Sequence, residues 1–193
     1  MPMLADCLRV SIGTQSQNDR FLEELEKLIK KVAFIDRDGV ILFENQIDFQ
    51  VDSLEKYQIL PGVNEGLKKL KEAGYMLVMV SNQDGRGTDS FSEEDFLLVQ
   101  NRMIEDLGIE FDEIFVCPHF AEENCDCRKP KTGMAEEFLK KTPINYDKSF
   151  VIGDRESDME FAQNIGVRGV KAETNDIFPN PSARKRSGPR AIL

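Results

Sequence analysis

Short apolar runs alternate with helix-like stretches over most of the chain. Each run is three to five residues long and ends in a polar or glycine-rich turn, which is typical of strands buried on both faces. A strand followed by a helix, several times over, predicts an α/β fold in which helices cover both faces of a parallel sheet. The predicted strands are 32–35, 76–80, 113–116, 149–152 and 168–170, and the predicted helices lie near 63–73, 93–107, 133–140 and 158–164.

The two ends of the chain differ from this alternating part. Near the start, residues 7–12 predict a strand, and a helical repeat follows behind a cap at Thr14 or Ser16. Its apolar face has to be covered, and packing on the main core and contact with another subunit both stay open; the face consists of Phe21, Leu22, Leu25, Leu28 and Ile29. We predict three parts, namely a strand and helix extension at 1–31, the α/β domain at 32–175, and a flexible basic tail or linker at 176–193.

Composition narrows the class of protein. The chain has 193 residues, of which 40% are hydrophobic and 31% charged, and this suits one packed domain. The formal net charge is −10, and because the last twelve residues carry +4 with no acid, the rest carries −14. A field of that sign repels phosphate, which argues against a general affinity for nucleic acid or an anionic membrane. No apolar run reaches the roughly 18–20 residues of a membrane span, and we expect a cytoplasmic protein.

Polar side chains follow three of the predicted strands. Asp36, Asp38 and Gly39 come after the first strand, the run 81–83 ends the second, and Asp154 follows the fourth. Because the carboxyl ends of parallel strands meet at one edge of a sheet, we expect these groups to converge there. Mg²⁺ prefers carboxylate and carbonyl oxygens and keeps several waters, which leaves room for a phosphate oxygen. We therefore predict a Mg²⁺ site formed by Asp36, Asp38 and Asp154.

Three cysteines and the only histidine of the chain fall in one short segment. Their spacing is C-x-H-x5-C-x-C, and the residues are Cys117, His119, Cys125 and Cys127. Three thiolates and one imidazole suit tetrahedral zinc, and four protein ligands leave no open position, so we predict a structural zinc site. A reduced, metal-free loop is the alternative. Arg128 and Lys129 follow the last ligand directly, so loss of zinc is expected to disorder residues that bind phosphate.

The order of these motifs resembles the haloacid-dehalogenase-like phosphotransferase superfamily, which has a Rossmann-like fold. The matching elements are D-x-D-G, S-N-Q, a lysine, and G-D with a further acid four residues later. The resemblance implies that Asp36 attacks phosphorus and forms an aspartyl phosphate, while Asp38 protonates the leaving alkoxide and later activates water. It also implies that Ser81 holds phosphoryl oxygens, that Lys129 offsets their charge, and that Asp158 orients the lysine.

The zinc segment followed by Cys-Arg-Lys-Pro-Lys resembles the small capless phosphatases of this superfamily. Local runs, among them 48–52 and 82–85, are similar to the histidinol-phosphate phosphatases, as found in the amino-terminal half of bifunctional histidinol-phosphatase/imidazoleglycerol-phosphate dehydratases. This resemblance implies a Mg²⁺-dependent phosphomonoesterase that forms histidinol and phosphate in histidine biosynthesis. A heptose-bisphosphate phosphatase is the first alternative. A polynucleotide phosphatase is more distant, and a non-catalytic fusion fragment is the alternative from another class.

The substrate implied by this resemblance carries an ammonium group beside its phosphate. Acids at the mouth of the site suit such a group, and Glu44, Asp48 and Asp84 are candidates, with solvated loop acids as the alternative. Asn82, Gln83 and Arg128 are the other expected substrate contacts. The expected partner is a small phosphate monoester, without nucleic acid or membrane, and both a monomer and a dimer stay open. Residues 5–31 resemble the carboxyl end of histidinol-phosphate aminotransferases, but they carry no cofactor lysine.

Overall fold

A five-stranded parallel sheet forms the centre of the computed structural model, which describes residues 11, 13–47 and 49–179. The strand order is β3-β2-β1-β4-β5, so the first strand lies in the middle. The strands are β1 (Lys31–Ile35), β2 (Tyr75–Asn82), β3 (Glu113–Cys117), β4 (Phe150–Gly153) and β5 (Arg168–Lys171). The α-helices are α1 (Gln15–Leu28), α2 (Val63–Glu72), α3 (Glu93–Leu107), α4 (Glu136–Lys141) and α5 (Glu156–Asn164), and short 3₁₀ turns span Ala121–Glu123 and Gly133–Ala135.

The central strand shows why the sheet needs helices on both faces. Along β1, Ala33 and Ile35 belong to one apolar cluster, whereas Val32 and Phe34 belong to the other, and all four are fully buried. Residues of α2 and α3 complete the first cluster, and residues of α4 and α5 complete the second. The predicted α/β fold class is confirmed, and all five predicted strands are present. The predicted helix at 133–140 begins with a 3₁₀ turn before α4.

Strand register aligns the carboxyl ends of the middle strands. Ile35 of β1 lies opposite Met79 of β2 and Ile152 of β4. The backbone continues this pairing beyond the strand, because the Asp36 N–H donates to the Ile152 carbonyl at 2.9 Å. Side chains that follow these strands are therefore brought to one edge of the sheet.

The connection between β1 and α2 leaves this edge open. Its described residues, 36–47 and 49–62, contain no helix and no strand. Backbone hydrogen bonds fold the segment back on itself, from Phe43 N–H to the Gln58 carbonyl at 2.8 Å and from Leu60 N–H to the Ile41 carbonyl at 2.9 Å. The absence of helices or strands here agrees with the predicted capless architecture.

Helix α1 has the predicted start. Thr14 is its N-cap, and the Thr14 N–H donates to the Gln17 side chain at 2.9 Å. No residue of α1 is buried, and Leu22 and Leu28 are 56% and 61% exposed. Its apolar face is therefore not buried in the core, and contact with another subunit stays a prediction. Apart from Ser11, the strand predicted at 7–12 lies outside the described residues, as does most of the basic tail. Within the described part, no helix is long and apolar enough to cross a bilayer.

Candidate active site

A cleft of about 230 Å³ lies at the carboxyl edge of the sheet. The side chains expected to carry out catalysis all line it, namely Asp36, Asp38, Ser81 and Lys129. Four of the expected substrate contacts line it as well, namely Glu44, Asn82, Gln83 and Asp84. The topology therefore brings eight predicted site residues to one cleft, although they come from distant parts of the chain.

Lys129 connects two buried acids at the base of the cleft. Its Nζ lies 3.0 Å from Asp36 Oδ1 and 2.6 Å from Asp158 Oδ1. The same ammonium donates to the Val80 carbonyl at 2.8 Å. These three partners use the three donors of the ammonium group, as a buried cation requires. Asp158 is fully buried and also accepts from the Arg155 N–H at 3.0 Å, so its carboxylate is fixed at the start of α5.

Burial and neighbouring charges change the pKa values of Asp36 and Lys129. Desolvation raises the pKa of Asp36 to about 7; Lys129 opposes this shift, and the negative charges of Asp158 and Asp38 add to it. Burial alone would lower the pKa of Lys129, but the carboxylates of Asp36 and Asp158 outweigh it and raise that pKa above its ordinary value. Lys129 is therefore a permanent cation at neutral pH. A further positive charge beside Asp36 would favour its ionised form.

The carboxylates of Asp36, Asp154 and Asp158 each offer one oxygen to a common position, with these oxygens within 4.8 Å of one another. Asp154 Oδ2 accepts from the Thr174 hydroxyl at 2.7 Å. Its other oxygen, Oδ1, is buried and finds no hydrogen-bond partner in the part of the chain that the structure describes. An unpartnered carboxylate oxygen beside Asp36 fits a hard cation such as Mg²⁺. The Asp38 carboxylate, also expected as a ligand, is instead hydrogen-bonded to Arg37 and Gln83.

Two glycines make this close approach of carboxylates possible. Gly39 has a φ of +75°, and a Cβ at this position would lie 2.4 Å from Asp154 Oδ2. A Cβ on Gly153 would lie 2.2 Å from the Asp158 Cβ. Contacts below 3.0 Å are essentially never seen for a real Cβ, so a side chain at either glycine would displace an acid of the site.

The run at the end of β2 organises its neighbours. The Asn82 side chain makes two hydrogen bonds to the backbone of Lys129. Its amide nitrogen donates to the Lys129 carbonyl at 3.2 Å, and its amide oxygen accepts from the Lys129 N–H at 3.0 Å. The Gln83 amide nitrogen donates to Ser81 Oγ at 2.8 Å and to Asp38 Oδ2 at 2.6 Å. Both amides, expected to contact substrate, thus also fix groups of the catalytic set.

Two of the three acids expected at the mouth each have an arginine partner. Glu44 is paired with Arg155, and Asp84 forms a two-pronged pair with Arg128 in which Nη2 lies 3.0 Å from Oδ2. Desolvation raises the pKa of Glu44 to about 7, although Arg155 opposes this shift. The Glu44 side chain is 3% exposed and that of Asp84 is 39% exposed, so Asp84 is the more accessible acid. Asp48 lies outside the described residues.

The cysteine and histidine segment forms a tight cluster next to the cleft. The three Sγ atoms of Cys117, Cys125 and Cys127 are 3.2–3.5 Å apart, and His119 Nδ1 lies 3.5 Å from Cys117 Sγ and 3.2 Å from Cys127 Sγ. Ligands about 2.3 Å from a tetrahedral ion are about 3.7 Å apart, so this spacing fits a single zinc ion with a small adjustment. The three thiols form no disulfide.

Contacts join this cluster to the cleft. Arg128, which follows the last cysteine, donates to the His119 carbonyl at 3.0 Å while it pairs with Asp84. The Gly85 N–H donates to the Pro118 carbonyl at 3.0 Å. The proposed zinc loop is therefore hydrogen-bonded both to Arg128, which precedes Lys129, and to the turn that follows β2.

Four residues of the site were not anticipated from the sequence. Arg155 and Thr174 contact the predicted acids Glu44 and Asp154, and Arg37 and Gln100 lie behind Asp38; the four are Arg37, Gln100, Arg155 and Thr174. Arg37 and Arg155 did carry a signal, because each is adjacent in sequence to a predicted metal ligand. Gln100 and Thr174 carried none, because their place at the site depends on tertiary packing.

A comparison with protein families matches residues 31–174 to the model described as polynucleotide kinase 3 phosphatase. The histidine biosynthesis bifunctional protein HisB of Campylobacter jejuni subsp. doylei is 53% identical over 145 residues, which are 74% of this chain and 41% of that protein. HisB of Legionella pneumophila (strain Lens) is 54% identical over 143 residues, 72% of this chain and 40% of that protein. The chain thus spans about two fifths of the length of these relatives.

The fold is also similar to a solved phosphatase. The D,D-heptose 1,7-bisphosphate phosphatase of B. bronchiseptica, crystallised with magnesium and phosphate, superposes with a TM-score of 0.68 at 28% sequence identity. The match covers 76% of this chain and 82% of that protein. The overall fold is therefore shared with a phosphatase whose crystals contain magnesium and phosphate.

Proposed function

Because the chain belongs to the polynucleotide kinase 3 phosphatase family, within the haloacid-dehalogenase-like fold, we propose that it is a Mg²⁺-dependent phosphomonoesterase that hydrolyses histidinol phosphate. The observation that carries this proposal is the buried contact of Lys129 with Asp36, in one cleft with Asp38 and Ser81. An acid, a fixed cation and a second acid around one position are the groups that phosphoryl transfer through a covalent intermediate needs.

In the proposed first step, Asp36 attacks phosphorus while the bond from phosphorus to the alkoxide oxygen breaks. The electron pair of that bond stays on the oxygen, which takes a proton from the Asp38 carboxyl group. In the second step, Asp38 takes a proton from water as the water oxygen bonds to phosphorus and the bond to Asp36 breaks. Ser81 would hold the phosphoryl oxygens, and the positive charge of Lys129 would offset their negative charge in both steps.

Two metal ions accompany this proposal. Asp36 and Asp154 would hold Mg²⁺, which supplies positive charge next to the phosphoryl group and the nucleophile. Cys117, His119, Cys125 and Cys127 would hold Zn²⁺, and because all four positions would be filled by protein, its role is structural. The donor sets support this division, because hard oxygens suit magnesium and thiolates suit zinc.

The substrate rests on the histidine biosynthesis relatives. Identity to the HisB proteins is 53–54%, whereas identity to the heptose-bisphosphate phosphatase is 28%, which favours histidinol phosphate over heptose bisphosphate. We propose that Asp84, as the more exposed mouth acid, lies nearer the substrate ammonium group than Glu44 does. Arg128 shares the carboxylate of Asp84 and would link this end of the substrate to the zinc loop.

A phosphate-release assay tests the substrate. Histidinol phosphate is expected to be turned over far faster than heptose bisphosphate or a 3′-phosphorylated oligonucleotide, with Asp36→Asn as the blank. The family is named for a polynucleotide phosphatase, so the assay has to include the oligonucleotide. The net charge of −10 argues against the oligonucleotide as the substrate. Preference for either other substrate would replace this proposal by the matching alternative, and no release from any would favour a non-catalytic fusion fragment.

The remaining assignments concern the whole chain. We propose that the catalytic domain is 32–175, with 1–31 as an extension and 176–193 as a linker or tail, because the family match ends at 174. We also propose a reducing, cytoplasmic location, which the three unpaired thiols of the described residues support.

A further inference from the structure

Arg37 is a charged side chain in the interior, directly between the two acids of the D-x-D motif. It is fully buried and does not line the cleft, so a bound substrate does not reach it. A buried guanidinium must be paired and hydrogen-bonded, because an isolated charge there is very costly. The hydrogen-bond partners of Arg37 therefore indicate its role.

The guanidinium grips both oxygens of Asp38. Arg37 Nε donates to Asp38 Oδ1 at 2.8 Å, and Arg37 Nη2 donates to Asp38 Oδ2 at 3.2 Å. Two parallel contacts from a planar fork fix the rotation of a carboxylate, which a single contact does not. The Asp38 side chain lines the cleft and is 11% exposed, so its carboxylate can be reached from the cleft while Arg37 holds it.

Gln83 completes the frame around Asp38. Its amide oxygen accepts from Arg37 Nη2 at 2.7 Å, and its amide nitrogen donates to Asp38 Oδ2 at 2.6 Å. The Gln83 N–H donates to the Cys117 carbonyl at 2.7 Å, which anchors the residue to β3. Behind Arg37, Nη1 lies 3.5 Å from Gln100 Oε1, and the Phe96 ring centre lies 5.2 Å from the guanidinium.

Each of the two cleft acids thus has its own buried cation. Lys129 Nζ lies 3.0 Å from Asp36 Oδ1, and Lys129 lines the cleft in which the phosphoryl group would bind. Arg37 contacts Asp38 instead and does not line the cleft. We propose that Arg37, together with Gln83, is a positioning residue for proton transfer: it aims the Asp38 carboxyl group at the leaving oxygen and then at the attacking water. This inference rests on the proposed phosphatase activity, and it names the residues that orient Asp38 for proton transfer.

Leaving groups of different basicity separate this role from a general structural one. An alkoxide, as in histidinol phosphate, leaves only with a proton, whereas p-nitrophenolate leaves as a stable anion. The value of kcat/KM reports the step that forms the aspartyl phosphate, and it does not include the later attack of water that both substrates share. Arg37→Lys keeps the charge but loses the fork, so kcat/KM for histidinol phosphate should fall about 100-fold, within the range of general-acid catalysis. For p-nitrophenyl phosphate, kcat/KM should fall less than about 5-fold, because departure of that leaving group gains little from a general acid. Lys129→Met is the matched control, and it should lower both rates alike because its cation faces the phosphoryl group.

A second variant keeps the test valid if the first does not fold. Gln83→Leu leaves the Arg37–Asp38 pair in place and should lower kcat/KM for histidinol phosphate about 10-fold more than kcat/KM for the aryl ester, which also falls because Gln83 contacts Ser81 and lines the cleft. Circular dichroism and zinc content verify the fold of each variant. Equal losses for both substrates in folded Arg37→Lys, or in Gln83→Leu alone, would overturn the positioning role while the phosphatase activity stands. A parent enzyme inactive on both esters would overturn the proposed function and this inference with it.

Discussion

The acidic cleft and the cysteine–histidine cluster lie side by side, yet they are assembled in opposite ways. The cleft gathers Asp36, Lys129 and Asp158 from distant parts of the chain, and these charges largely neutralise one another. The cluster draws its four candidate ligands from 117–127; their ligand atoms all lie within 4.8 Å of one another, and the three Sγ atoms are 3.2–3.5 Å apart. Thiolates this close together are favourable only when a bound metal ion compensates for their negative charge.

This difference predicts two kinds of metal dependence. Removal of Mg²⁺ from the cleft leaves an internally paired set of charges, so the fold should survive. Removal of zinc leaves the loop with no core of its own, since all but Cys117 among its ligands are only partly buried. The first ion is then needed for reaction and the second for shape.

The largest effect is expected at the nucleophile. Asp36→Asn should lower kcat for histidinol phosphate by at least about 10⁴-fold, as the loss of a catalytic nucleophile does in other enzymes. The melting temperature should stay close to that of the parent, because the amide still accepts from Lys129. Phosphate release and thermal unfolding measure the two quantities. Turnover near the parent level would reassign the nucleophile.

Loss of the zinc ion is expected to have the next largest effect. Cys125→Ser should bind less than one zinc per chain, lower the melting temperature and reduce kcat about 10–100-fold through Arg128 and Lys129. Magnesium depletion of the parent enzyme is the matched comparison, and it should abolish turnover reversibly at an unchanged zinc content. Metal analysis with thermal unfolding distinguishes the two. A zinc-free protein of full activity and stability would refute the structural role.

Glu44 provides a smaller effect, through the pH dependence of stability. Its pKa rises from 4.5 to about 7 on burial, so the folded protein binds the proton more tightly than the unfolded chain. The stability that follows is fully present below about pH 4.5 and is lost as the pH rises through about 7. Glu44→Gln removes that loss, so its unfolding free energy well above pH 7 should exceed that of the parent by about 3 kcal/mol.

Denaturant unfolding from pH 5 to 8, with zinc bound and no added magnesium, measures this difference. The exposed Glu65→Gln is the control, because burial does not raise the pKa of Glu65. If Glu44→Gln is less stable than the parent at pH 8, the ion pair with Arg155 outweighs the cost of burial.

The same comparison explains how far the sequence was informative. The four residues of the cysteine–histidine cluster are close in the chain, so spacing alone placed them together. The acids and amides that follow strands were predicted at the cleft because the β-α alternation indicates where strand ends meet, whereas Lys129 was predicted from the family resemblance. Their partners were not found: that Asp38 turns to Arg37 and Gln83, or that Glu44 meets Arg155, depends on side-chain directions that no spacing encodes. The packing of α1 stayed open because its periodicity indicates an apolar face but not whether the fold has a surface left to cover it.

The smallest predicted effect lies where the two regions meet, at the pair of Asp84 and Arg128. Asp84→Asn should raise KM for histidinol phosphate about 5-fold and leave kcat nearly unchanged, because a partly exposed charge contributes on the order of 1 kcal/mol. A phosphate ester without an ammonium group, such as glycerol phosphate, should show no such rise. Equal changes in KM for the two esters would mean that Asp84 acts only by holding Arg128, and hence the zinc loop, in place. A selective rise would instead give the exposed acid a direct part in substrate choice.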